Sequence, residues 1–122
     1  MHQYKELSIW KKSVELGTEI YQLTKQFPSD ERFGLISQLR RAAISVPSNI
    51  AEGAGRKSNK VFSQFLSISY GSLCELETQL IVSTNLGYIK EDEIHYYSEK
   101  IVELQKMIFS LINKLSKQGQ GM

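Results

Sequence analysis

Between Ile36 and Gly53 the apolar and small residues fall at Ile36, Leu39, Ala43, Val46, Ile50 and Gly53, in steps that alternate between three and four. A helix lines such residues up on one side, and the narrow stripe they make is the kind that packs between other helices. The stripe keeps its phase through Pro47. A loop at that point would shift it, so the pattern predicts one long helix kinked at Pro47 rather than two short ones. A proline inside a helix removes the donor to the carbonyl four residues back, here Ala43, a defect of about 3 kcal/mol in an isolated helix. Ser45, Ser48 and Asn49 are the polar groups near enough to answer it, with water as the alternative.

The rest of the chain supplies partners for that rod. A first helix is expected at about 8–26, with one seam at Trp10, Val14, Gly17, Tyr21 and Thr24 and a second, one residue offset, at Ile9, Leu16, Ile20, Leu23 and Phe27. Two adjacent seams exceed what a lone bundle needs from one helix, so this helix is expected to touch another subunit as well. Phe27-Pro28 stops it. Ser29 or Asp30 is expected to cap the second helix, about 31–54, with Asp30 and Glu31 at its positive end. Gly55 suits a left-handed turn and Ser58 a cap for the third helix, about 59–86, whose seam is Phe62, Leu66, Ser69, Leu73, Leu76 and Leu80. Gly87 ends it. Glu91, Asp92 and Glu93 open the fourth, about 91–117, with the heptad Ile94, Tyr97, Ile101, Leu104, Ile108, Leu111 and Leu115. The tail Lys117–Met122 reads as frayed.

Four amphipathic helices on short connections predict an all-α, antiparallel up-down-up-down four-helix bundle spanning residues 1–122 as one domain. Folding the chain near Lys57 sets Arg40 and Arg41 beside Glu75 and Glu77. An ion pair from Arg40 or Arg41 to Glu75 follows as an expectation, as does close backbone approach of Gly71 to Ala43 and Ile44.

Composition excludes more than it assigns. The 15 basic residues nearly balance the 13 acidic ones, for a net charge of +2, so any nucleic-acid footprint must be local. Cys74 is the single cysteine, which rules out an internal disulfide and fits a reducing cytoplasm. The start resembles no signal peptide and no apolar run approaches a membrane span.

Trp10, Tyr21, Phe27-Pro28, Gln38-Leu39-Arg40-Arg41-Ala42, Ser45-Val46-Pro47, Asn49-Ile50-Ala51-Glu52-Gly53 with Arg56, and Gly71-Ser72 with Glu75 together resemble the bacterial four-helix-bundle family named for the 23S ribosomal RNA intervening sequence, whose members are sometimes called S23 proteins. The resemblance covers roughly Tyr4 to Lys117. It implies an up-down bundle assembling as a ring-like homopentamer. The family is similar in shape to the accessory proteins of diversity-generating retroelements, basic pentameric barrels that engage nucleic acid and a reverse transcriptase. The name records where its genes were first noticed, not a mechanism.

Within that frame the basic residues Arg40, Arg41, Arg56, Lys57 and Lys60, with Lys11 and Lys12, form the candidate nucleic-acid contact. In a ring, one modest patch per subunit becomes a repeated array. The competing reading has Arg40 and Arg41 holding Glu75 or Glu52 while the others solvate a turn, and for Arg40 and Arg41 it is preferred. Pro47, Asn49, Glu52, Gly53 and Glu75 are read as structural. Asn49 and Glu52 share a helical face, but no histidine, second acid or nucleophile accompanies them, so a polar network beside Pro47 is preferred over catalysis. Asp92 and His95 have carboxylate–histidine spacing, yet a di-iron bundle needs two such units, and no metal or cofactor is expected. Cys74 reads as a buried structural thiol. Tyr4, Tyr70, Tyr96, Tyr97 and Trp10 could stack on bases, with core or interface as the default. Gly53 and Gly55 lack the strand and pattern of a phosphate loop. The expectation is a non-enzymatic oligomeric adaptor or scaffold whose partner is RNA or a protein encoded nearby, with a dedicated RNA binder as the alternative.

Overall fold

The computed structural model describes residues 2–120, and the side chains of 2–118. A 3-10 turn at Tyr4–Glu6 leads into α1 (Ser8–Thr24), a second at Ser29–Glu31 precedes α2 (Leu35–Ala54), and α3 (Asn59–Asn85) and α4 (Glu91–Gln120) complete the chain. There is no strand among the described residues. The four seams form the core: Leu16, Ile20, Leu39, Ile50, Leu66, Leu73, Leu76, Leu80, Ile101, Leu104 and Ile108 are all but sealed from solvent. On α1 the second seam carries the packing, while Val14 and Tyr21 of the first stay 37% and 39% exposed.

Cross-helix bonds fix direction and register. Ser45 Oγ meets Ser72 Oγ at 2.9 Å, and Ser69 Oγ donates to the Val46 carbonyl at 2.9 Å, so α2 and α3 run antiparallel. Gln105 on α4 donates to Cys74 on α3, and Arg40 on α2 reaches Thr24 on α1. Lys12–Glu103 and Tyr96–Glu19 close α4 onto α1. The helices thus stand in chain order around a square, alternating in direction. The α2–α3 seam is the most extensive and the α1–α4 seam the least.

Pro47 is buried inside one uninterrupted helix. The Ala43 carbonyl it leaves free faces Gly17 of α1, where a Cβ would sit 3.7 Å away. Asn49 serves Ser45 instead, donating to its carbonyl at 2.8 Å and its hydroxyl at 3.0 Å.

Several expectations are corrected. The second helix begins at Leu35, not near 31, and neither Ser29 nor Asp30 caps it: Glu31 Oε1 accepts the Leu35 N–H at 3.2 Å. Gly55 lies at φ −78°, in ordinary helical space, and the left-handed turn falls at Gly87, with φ 84°. The register brings residues 41 and 75 to the same height, but no ion pair forms among the described residues from Arg40 or Arg41 to Glu75. Arg40 sits on the α1 side of α2, over the Tyr21 ring at 4.6 Å, and Glu75 accepts from Gln79. Gly71 faces open space. The close glycine approach is at Gly53, where a Cβ would come within 2.6 Å of Phe65 Cβ. Helix α4 continues to Gln120, past the expected end at 117, and the rest of the expected frayed tail lies outside the described residues.

Candidate nucleic-acid interface

The α2–α3 turn forms one end of the bundle. Ser58 caps α3, accepting from Val61 N at 3.3 Å, which fixes the short loop that presents Arg56 and Lys57. Arg56 binds Glu52 at 2.9 Å and lies over the Phe65 ring at 5.2 Å, so its charge is partly answered within α2. Lys57 and Lys60 are exposed and have no ion pair among the described residues.

Other elements add to this end. The backbone N–H of His2 donates to the Ala54 carbonyl at 2.8 Å, and the His2 ring packs on Phe62, which brings the Tyr4–Glu6 turn and Lys5 beneath the α2–α3 turn. The end of α4 arrives here too: Lys60, Asn59, Ser63 and Gln64 share a groove of about 490 Å³ with Leu115 and Ser116, and Lys114 and Lys117 flank it in sequence. Glu6 and Glu52 are the acids near this end. The opposite end carries Asp30, Glu31, Glu91, Asp92 and Glu93 against Lys25, Arg32 and Lys90. A nearly neutral chain therefore has a basic end and an acidic end.

The remaining basic candidates do not join that end. Arg40 is held at mid-height by Thr24 Oγ1 at 2.9 Å and the Tyr21 carbonyl at 3.4 Å. Arg41 is exposed and apart from it, on the α3 side of α2. Lys12 pairs with Glu103 at 3.0 Å, and Lys11 is exposed one turn into α1. Of the residues read as structural, Pro47 and Gly53 are buried and Asn49 belongs to a network with Ser45 and Ser72. Glu52 lies outside that network, committed to Arg56.

Cys74 is exposed rather than buried, its sulfur accepting from Gln105 at 3.4 Å. Its place one position past Leu73 turns it outward on the α4 side of α3. Asp92 Oδ1 accepts the Glu93 N–H, and no three His, Cys, Asp or Glu side chains converge on a metal position among the described residues. No helix there is long and apolar enough to cross a membrane. Tyr97 is buried against the core, and burial, with the charges of Glu19, Tyr96 and Glu93 behind it, pushes its phenol from 10.0 up to about 12. The Tyr96 phenol, bonded to Glu19, is also raised. Trp10 stacks edge-on against Tyr4 at 5.2 Å.

Sequence reasoning passed over Glu31 and Tyr88. One Glu31 carboxylate oxygen caps α2 and the other accepts the Tyr88 hydroxyl at 3.1 Å, tying the α1–α2 turn to the α3–α4 turn. That bond raises the Tyr88 phenol, followed by burial and the charges of Glu31 and Asp30. The available signal was an acid four residues before the first helical position. Lys114 and Lys117 were also passed over, although an antiparallel four-helix order puts the end of α4 beside the α2–α3 turn.

Two apolar grooves lie on opposite sides of the square. Between α1 and α2, Val14, Gly17, Tyr21, Ile44 and Pro47 line a hollow of about 240 Å³. Between α3 and α4, Tyr70, Val102, Gln105 and Phe109 line one of about 340 Å³, with Phe109 59% exposed.

A family model described as 23S rRNA-intervening sequence protein matches residues 5–110. The crystal structure of a protein of unknown function from the S23 ribosomal protein family of Bacteroides thetaiotaomicron VPI-5482 superimposes with a TM-score of 0.80, covering 86% of this chain and 95% of that one at 24% identity. That likeness is one of fold. No curated protein matches the chain.

Proposed function

The chain belongs to the 23S rRNA-intervening sequence protein family, and from that premise we propose that it is a non-enzymatic adaptor or scaffold that acts as a homo-oligomer in the cytoplasm. The observation that carries this reading is the pair of unlike apolar grooves on opposite sides of the bundle. Unlike surfaces meet head to tail, and head-to-tail contacts close into rings when the rotation between copies allows it. Five copies is the number the family resemblance implies. The α1–α2 groove is where the surplus seam of the first helix stays uncovered in one chain. Light scattering tests the reading: a multiple of the 14.0 kDa chain mass is expected, and a mass of one chain overturns it. Ile44→Glu, which puts a charge in the groove, is expected to shift the wild-type mass toward one chain.

A second reading, RNA binding, is favoured by the segregation of charge. In a ring whose axis follows the bundles, every basic end faces the same way, and Lys57, Lys60 and Arg56 repeat around one face. Phosphate contacts then sum across copies and weaken steeply with salt. Neutralising Arg56, Lys57 and Lys60 together is expected to abolish a salt-sensitive RNA affinity measured by anisotropy. Equal RNA retention by the variant and wild type dismisses this reading and leaves the scaffold standing.

A further inference from the structure

Phe33 is the most exposed large apolar side chain in the structure, at 91%, and it sits at the acidic end, away from both lateral grooves. Its mounting is rigid. Glu31 caps α2 with one oxygen and takes the Tyr88 hydroxyl with the other, while Phe27 and Tyr88 stack at 5.3 Å beneath the turn. Gly34 accommodates this arrangement, since a Cβ there would lie 2.6 Å from Glu31 Oε1. The α2–α3 register carries Phe33 to the height of Val82 and Leu86, on the α2-facing side of α3 and 43% and 54% exposed. The result is an apolar corner next to the acids that open α4.

We propose that this corner docks a cationic amphipathic helix of a partner protein, with Phe33 entering its apolar face and Glu91, Asp92 and Glu93 answering its positive charges. The proposal deepens the adaptor reading and rests on it: it gives the assembly a protein-binding end opposite its basic end. Charge complementarity selects the occupant, because an acidic rim repels nucleic acid and favours a basic segment. A projecting aromatic is the side chain that most often anchors such contacts, and apolar helix faces are read by this mode of docking.

The probe is a fluorescent amphipathic helical peptide of leucine and lysine, titrated with the full chain and followed by anisotropy, with a leucine–glutamate peptide as control. Binding of the lysine peptide alone is expected. It should weaken about tenfold in Phe33→Ser, as for loss of an interface anchor, and lose most of its salt dependence when Glu91, Asp92 and Glu93 become Gln. Equal binding by Phe33→Ser, or binding of both peptides alike, overturns the proposal. So does an oligomer mass that grows with concentration until Phe33→Ser stops it, which assigns the corner to the basic end of another copy. Light scattering of the same samples reports the lateral assembly separately, so a lost docking site and a lost ring are told apart.

Discussion

Ser69, buried in the middle of α3, donates its hydroxyl to the backbone carbonyl of Val46 at 2.9 Å, immediately before Pro47. A serine in a leucine seam thereby answers a backbone group next to the one place where α2 lacks a donor. Ser69→Ala is expected to lower stability by about 1 kcal/mol, the usual worth of such a bond. A urea unfolding midpoint unchanged from wild type would remove this bond from the account.

The two glycines of contrasting surroundings give opposite expectations. At Gly53 an added Cβ meets Phe65 Cβ at 2.6 Å and Phe62 Cδ1 at 3.0 Å, so Gly53→Ala should destabilise by about 1–3 kcal/mol through overpacking. At Gly71 the Cβ meets nothing, and Gly71→Ala should stabilise by about 0.5–1 kcal/mol through helix propensity. Thermal unfolding of the two variants side by side checks the sign of each.

Arg40 and Arg41 are neighbours with unequal roles. Arg40→Ala removes two hydrogen bonds and a ring contact and should cost about 1–3 kcal/mol. Arg41→Ala, at an exposed position with no bonded partner among the described residues, should stay within about 0.5 kcal/mol of wild type. Equal losses in chemical denaturation would contradict the geometry.

Tyr97 makes stability fall in alkali. Its folded pKa, about 12, lies above the ordinary 10.0, so the folded state holds the proton more tightly. The stabilisation is complete below pH 10 and is lost as pH rises toward 12. Tyr97→Phe should flatten that decline in urea midpoints measured across the window, and an unchanged slope would assign it to other groups.

Where burial depended only on helical phase, the sequence sufficed: Phe62, Leu66, Ser69, Leu73, Leu76 and Leu80 were all expected in the α3 seam and all are buried. Where an outcome depended on which flank of a helix a long side chain leaves by, it did not. Residues 41 and 75 were rightly set level, but Arg40 turns to the Tyr21 ring and carbonyl across α1, a choice invisible to residue spacing. Gly71 and Gly53 show the same limit, since periodicity does not say which small residue faces a neighbour and which faces water. At the basic end, Arg56, Lys57 and Lys60 were readable as a local cluster. Their company, Lys5, Lys114 and Lys117, became visible only once the chain termini were placed in space.

The uneven seams also dictate an order of events. Helices α2 and α3 are adjacent in the chain and most deeply interlocked, whereas α4 meets α1 across nearly the whole chain length through its slightest seam. Local contacts cost little chain entropy to close and distant ones cost more. The hairpin around Gly53 is therefore the expected nucleus, and docking of α4 on α1 the last step to form and the first to fray. Rate measurements on Ser69→Ala and Lys12→Ala would expose that sequence: the first should slow folding, the second should chiefly hasten unfolding.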